Sequence, residues 1–180
     1  MSCSPYISCA LFIFFLASCS KSEDYPVEPR IELIGWNKVK TDQGKDSIIR
    51  ININFTDGDG DIGLSPEDTA SPFRLSDRFF YTLFVDIYSI ENGQAEKMLI
   101  PGLDPLSYFR DTVHFHQRLP NITPEGKNKN IKGDLEVSTS FFVMKINGLQ
   151  PDSVFYRITL YDRQLHASNT LQTEIIPLAF

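Results

Sequence analysis

The chain has 180 residues, 42% of them hydrophobic and 12% aromatic. That is ample for one packed domain and short for two. A formal net charge of −6 and a pI near 5.0 argue against a nucleic-acid partner, which needs a basic patch to neutralise phosphates.

The first 20 residues carry no charged side chain. Ile7 to Ala17 is an apolar run of leader length, too short to span a bilayer comfortably. It ends in Leu16-Ala17-Ser18-Cys19, which resembles the bacterial lipobox, where the cysteine is lipid-modified and becomes the new N-terminus. The resemblance implies a leader over 1–18, a lipidated tether over 19–29 and a folded domain over 30–180. The segment Met1 to Tyr6 departs from the pattern, because it has no Lys or Arg. Cys3 and Cys9 leave with the leader, so Cys19 is the only cysteine of the mature chain. An intrachain disulfide, a thiol nucleophile and a zinc–thiolate site are then excluded. Ser20-Lys21-Ser22-Glu23-Asp24 resembles the surface-export signal of Bacteroidota lipoproteins, and it reads equally well as a plain solvated linker. The implied location is the outer membrane, with the external face favoured over the periplasmic one.

The remaining pattern is β. Arg30 to Val39 is a first strand carrying Ile31, Leu33 and the lone Trp36, and Thr41 to Asp46 is a turn. Ser47 to Phe55 alternates strictly. Ile49, Ile51, Ile53 and Phe55 fall on one face and Arg50, Asn52 and Asn54 on the other, the mark of a half-buried strand.

Directly after it comes Asp57-Gly58-Asp59-Gly60-Asp61. Three carboxylates at i, i+2 and i+4 repel one another unless something neutralises them. A hard cation such as Ca²⁺ takes six to eight oxygens, and glycines let a backbone curl to supply them. Numbering Asp57 as position 1 of an EF-hand puts Asp59, Asp61 and Asp68 at ligand positions 3, 5 and 12. Position 6, which must be glycine, is Ile62, and the flanks are a strand and a Pro-containing loop. The EF-hand is therefore rejected. Asp68 is a weaker candidate ligand than the three clustered aspartates.

Phe79 to Ile90 reads as a long strand, Glu91-Asn92-Gly93-Gln94 as a hairpin turn and Ala95 to Ile100 as the returning strand. Thr112 to Leu119 is a further strand. Ile131 to Met144 alternates, with Leu135, Val137 and Thr139 inward. Val154 to Tyr161 and Leu171 to Ile176 complete the set. The excursions Ser65 to Arg78 and Pro101 to Asp111 are the places for short helices. Seven or eight strands bounded by turn signals predict an antiparallel sandwich rather than βαβ units.

Gly148 to Ile158, with its Leu149-x-Pro151 turn and aromatic pair Phe155-Tyr156, resembles the approach to strand F of fibronectin type III domains. The resemblance implies an immunoglobulin-like sandwich in which Tyr156 or Phe155 anchors the E–F corner, the tyrosine hydroxyl bonding upstream backbone. In that frame Asp57 to Asp61 occupies the B–C loop and Asp162 opens the F–G loop at the same end. Asp57, Asp59, Asp61 and Asp162 are then the expected metal ligands. Phe-Thr-Asp-Gly-Asp-Gly-Asp-Ile-Gly-Leu at 55–64, Leu83 to Asp86, Ile131 to Asp134, Asp162-Arg163, Ser168-Asn169 and Thr173-Glu174 together resemble a set of uncharacterised Bacteroidota lipoproteins. That resemblance implies a lipid-anchored β-sandwich and supplies no activity.

Signals for enzyme chemistry are sparse. His114 and His116 share a strand face but lack companion ligands, and read as exposed strand histidines. No nucleophile elbow, Walker loop or dinucleotide fingerprint is present. Asn121-Ile122-Thr123 is an incidental sequon. The sequence therefore predicts a calcium-stabilised binding or accessory module at the cell surface, held to the membrane by lipid on Cys19, with a glycan or protein partner. Phe73, Tyr108 and Phe109 are loop aromatics that either contact such a partner or cover the sandwich edge. The alternative is a glycan-directed surface hydrolase using the acidic loop end.

Overall fold

Alternation between apolar and polar residues organises the molecule, a computed structural model that describes residues 24–91, 93–98, 115–124, 130–141 and 149–179. The strands are β1 (Arg30–Lys40), β2 (Asp46–Asp57), β3 (Leu83–Glu91), β4 (Gln94–Lys97), β5 (Ile131–Ser140), β6 (Ser153–Leu160), β7 (Leu171–Gln172) and β8 (Ile176–Pro177). They form an all-β sandwich. One sheet has the order β1-β2-β5; the other runs β4-β3-β6-β7, with β8 also paired to β6. Every strand pairing is antiparallel.

The core lies between the two sheets. Ile49, Ile51 and Ile53 are fully buried on β2, and Val85, Ile87, Tyr156, Ile158 and Leu160 face them from β3 and β6. Burying each such side chain is worth roughly 1.5–3 kcal/mol, so a one-residue slip of β2, which would turn Ile49, Ile51, Ile53 and the buried Phe55 outward, is prohibitively costly. Val137 and Thr139 of β5 point into the same core, while Asp134, Glu136 and Ser138 face solvent.

Tyr156 is fully buried in the middle of β6, and its hydroxyl meets Thr139 Oγ1 at 2.8 Å across the core. Thr139 Oγ1 in turn donates to the Ile49 carbonyl at 3.4 Å. This corrects the expected corner: Tyr156 stitches sheet to sheet through a side chain instead of bonding upstream backbone, because it sits mid-strand. Burial pushes its phenol above its ordinary value, which keeps the hydroxyl neutral and able to hydrogen-bond.

Some boundaries differ from expectation. The run at Phe79 enters β3 only at Leu83, because Arg78–Phe80 forms one 3₁₀ turn. That turn lays Phe79 edge-on against Phe84 and Tyr161. Leu171 to Ile176 divides into two short strands, and Gln117 joins β3 at Leu83 through an isolated bridge. The hairpin is present as Glu91 paired with Gln94. The leader, Cys19, Pro101 to Asp111 with Tyr108 and Phe109, and His114 lie outside the described residues. Among the described residues, no helix is long and apolar enough to cross a membrane.

The two ends of the sandwich are distinct. At one end, β2 runs out at Asp57, β6 at Leu160, and β1 and β3 begin. At the other lie the 41–45 turn, the 91–94 hairpin and Ala179, whose carbonyl accepts from Asp46 N at 2.7 Å.

Candidate metal centre

β2 delivers the Asp57–Asp61 segment into a tight loop whose glycines answer to close approaches. A Cβ on Gly58 would sit 2.2 Å from the Tyr25 carbonyl oxygen, and one on Gly63 would sit 1.9 Å from that of Pro120. Gly63 also has φ +85°, a conformation that side-chain-bearing residues rarely adopt. From β6 the chain turns at Asp162, which forms an antiparallel bridge with Ile62. Arg163 N donates to the Asp61 carbonyl at 3.1 Å. Two segments about a hundred residues apart in sequence are thereby fastened side by side.

The result is a cluster of Asp57, Asp59, Asp61 and Asp162, each offering one oxygen within 4.8 Å of the others. Asp57 and Asp162 are completely buried. Asp57 Oδ2 accepts from Asp61 N at 3.0 Å, and Asp59 Oδ2 from Gln164 Nε2 at 2.5 Å. Oδ1 of Asp57, of Asp59 and of Asp61 is buried without a hydrogen-bond partner. A buried carboxylate oxygen without a donor or counter-charge is strongly unfavourable. A cation among the four oxygens would supply the missing counter-charge.

The protonation behaviour of the cation-free cluster agrees. Burial, then the neighbouring Asp59, Asp61 and Asp162 charges, push Asp57 up to about 7 against a bond from Asp61 N–H. Asp61 is raised by burial and by Asp162 and Asp59. A divalent ion would reverse this and hold all four carboxylates ionised.

Asp162 is oriented by His166, whose backbone N–H reaches Oδ1 at 2.8 Å and whose Nδ1 lies 2.7 Å from Oδ2. That hydrogen bond, with the Asp162 charge, raises the imidazole above its ordinary value. A ring nitrogen committed to a ligand carboxylate supports the site from behind rather than ligating. The donor set is therefore all oxygen, the preference of hard cations over zinc or copper.

The structure unites the four aspartates expected as ligands and leaves out Asp68. Burial raises Asp68, but the Ser65 N–H, at 2.7 Å, and the Arg163 guanidinium hold it below the usual carboxylate range. Arg163, Gln164 and His166 were not expected as parts of the site. Only their nearness to Asp162 in sequence could have flagged them. His116 corrects another expectation: it is buried, not exposed, and its Nδ1 accepts the Val85 N–H at 2.8 Å. Phe73 is half-buried and lines an open cleft of about 560 Å³ with Leu75, Phe80 and Arg118. Arg118 donates to the carbonyls of Ser65, Asp68, Phe73 and Phe80, so it holds the 65–80 excursion in place.

Comparison with family models, curated proteins and solved structures finds no match.

Proposed function

We propose that this chain is a calcium-stabilised, lipid-anchored sandwich of immunoglobulin-like type, acting as a binding or accessory module at the bacterial outer membrane. The observation that carries the reading is the aspartate cluster built from two distant segments, with three buried oxygens lacking a donor. Calcium suits it better than magnesium, because four clustered carboxylates match the higher coordination number of the larger ion, whereas magnesium keeps several of its waters. The strand orders support the immunoglobulin-like type: β1-β2-β5 corresponds to A-B-E, and β4-β3-β6-β7 to C′-C-F-G. The lipobox-like stretch ending at Cys19 supports the anchor. A glycan or protein at the cell surface is the partner class that fits such a module. Complete burial of Asp57 and Asp162 weighs against the hydrolase alternative, since a catalytic acid must reach its substrate.

Thermal unfolding tests the metal. Calcium should raise the melting temperature, EGTA should reverse it, and Asp59→Ala should abolish the response. An unchanged melting curve over millimolar calcium would remove the site. Cys19→Ser should move the protein from the membrane to the soluble fraction, because acyl chains supply the anchor. Retention in the membrane would remove the lipid reading.

A further inference from the structure

We infer that the aspartate-cluster end of the sandwich is its membrane-proximal end, facing the lipid headgroups, and that the opposite end is turned away from the bilayer. The inference rests on the lipid anchor at Cys19 proposed above, and goes further by assigning the two ends of the domain.

The fold fixes where the tether arrives. β1 begins beside the end of β2, with Arg30 paired to Thr56. Before β1, the Tyr25 and Pro26 carbonyls pass over Gly58, so close that a Cβ there would meet them at 2.2 and 2.6 Å. Asn130, just ahead of β5, donates to Asp24 Oδ1 at 3.3 Å, and β5 starts opposite Asp57. The chain is therefore held against the metal loop from Asp24 onward. Between Cys19 and Asp24 there are five steps of chain, a reach of at most about 18 Å when fully extended.

The far end is out of that reach. β2 spans 12 residues, and at roughly 3.3 Å per residue it separates the ends by about 36 Å. The exposed turn Thr41 to Lys45 and the exposed strand β4 beyond the hairpin then point away from the bilayer. The acidic cluster, the cleft beside Phe73 and the F–G loop point toward it. A loop end that would ordinarily be taken as the partner-facing surface of such a sandwich becomes the face turned to the headgroups.

The mature chain has no cysteine besides the lipidated one, so single cysteines report position cleanly. Glu67→Cys labels the metal end and Gln43→Cys the far end, both at exposed positions. The full-length lipidated protein, saturated with calcium, is incorporated into vesicles of phosphatidylethanolamine and phosphatidylglycerol. Quenching of each fluorophore by a headgroup-attached paramagnetic lipid is then measured. Quenching at position 67 should exceed that at position 43 at least threefold. Equal quenching would mean that the domain lies on its side, and reversed quenching that it stands on its other end; either overturns the assignment while leaving the anchor intact. A purified chain that fails to enter the vesicles overturns the anchor, and the assignment falls with it. Unchanged calcium-dependent melting of both variants shows that the labels report on the native fold.

Discussion

The sandwich buries carboxylates at both ends, and it surrounds them in opposite ways. At the far end Asp46 is buried, and Oδ2 receives Lys38 Nζ at 2.8 Å and the Ala179 N–H at 2.9 Å. The Lys38 ammonium also donates to the Pro177 carbonyl. Burial raises the Asp46 carboxyl, but the Lys38 and Ala179 bonds hold it below its ordinary value. At the aspartate-cluster end Asp57 is just as buried, no ion pair reaches it among the described residues, and burial with the neighbouring carboxylates pushes its carboxyl up to about 7. One buried charge has its counter-ion in the chain; the other belongs to a cluster that could take one from a bound cation. Asp46 thus has a counter-charge within the chain, although its Oδ1 is buried without a hydrogen-bond partner, as are the Oδ1 atoms of Asp57, Asp59 and Asp61.

The largest effect that separates the ends is loss of Lys38. Lys38→Ala strands a buried carboxylate, and breaking such a pair costs about 3–5 kcal/mol. The loss should be the same in calcium and in EGTA when measured by chemical denaturation. A loss that calcium relieves would mean that the two ends are coupled.

Calcium itself comes next. At a free concentration a hundredfold above its dissociation constant it should add about 2.7 kcal/mol, or roughly 5–10 °C in melting temperature for a domain of this size. Asp57→Asn should lose most of that gain. In EGTA the same variant should match or exceed the parent, because it removes one of four mutually repelling charges. A variant equally destabilised with and without calcium would show that Asp57 is held by packing alone.

The pH dependence sharpens the contrast. Without a metal, folded Asp57 binds its proton more tightly than the unfolded chain does. Its contribution is fully present below the unfolded value near 3.8 and is lost as pH rises through about 7. His166, raised by its bond to Asp162, works in the same direction: its contribution is present below 6.5 and fades as pH passes its folded value. In EGTA the melting temperature should therefore fall between pH 5 and 8. With calcium bound, the cation replaces the Asp57 proton and that part of the slope should vanish. Asp46 contributes with the opposite sign, its stabilisation being lost only as pH drops below about 4. A flat EGTA profile would contradict the raised Asp57.

Much of this was legible in the sequence, for reasons that differ by element. β2 and β5 announce themselves through strict alternation, since each has one face on the core and one in water. The three clustered aspartates are local, so their meeting could be read directly. Asp162 came only through the sandwich frame, which places the loop after β6 beside the loop after β2. Lys38 and Asp46 gave no signal as a pair, because a lysine in a first strand and an aspartate in a turn are ordinary surface residues until the C-terminal strand closes over them. The burial of His116 was equally hidden: it depends on the bridge from Gln117 to β3 and on the rings of Phe84 and Tyr81 at its sides. Pattern reveals which face a strand buries, whereas polar partners brought from distant segments depend on topology.

The smallest predicted effect lies between the two ends and serves as their reference. Tyr156 and Thr139 join the sheets at mid-height, away from both buried carboxylate sites. Tyr156→Phe keeps the ring and its packing and removes one buried hydrogen bond, at a cost of about 1 kcal/mol. Thr139 retains the Ile49 carbonyl as an acceptor, so the change strands no charge. The cost should be equal in calcium and EGTA and constant between pH 5 and 8, since neither partner titrates there. A cost that grows when calcium is removed would show that the metal end tightens the packing between the sheets as well as its own loops. The far end would then depend on calcium as well, and the Lys38→Ala penalty should grow in EGTA by the same route.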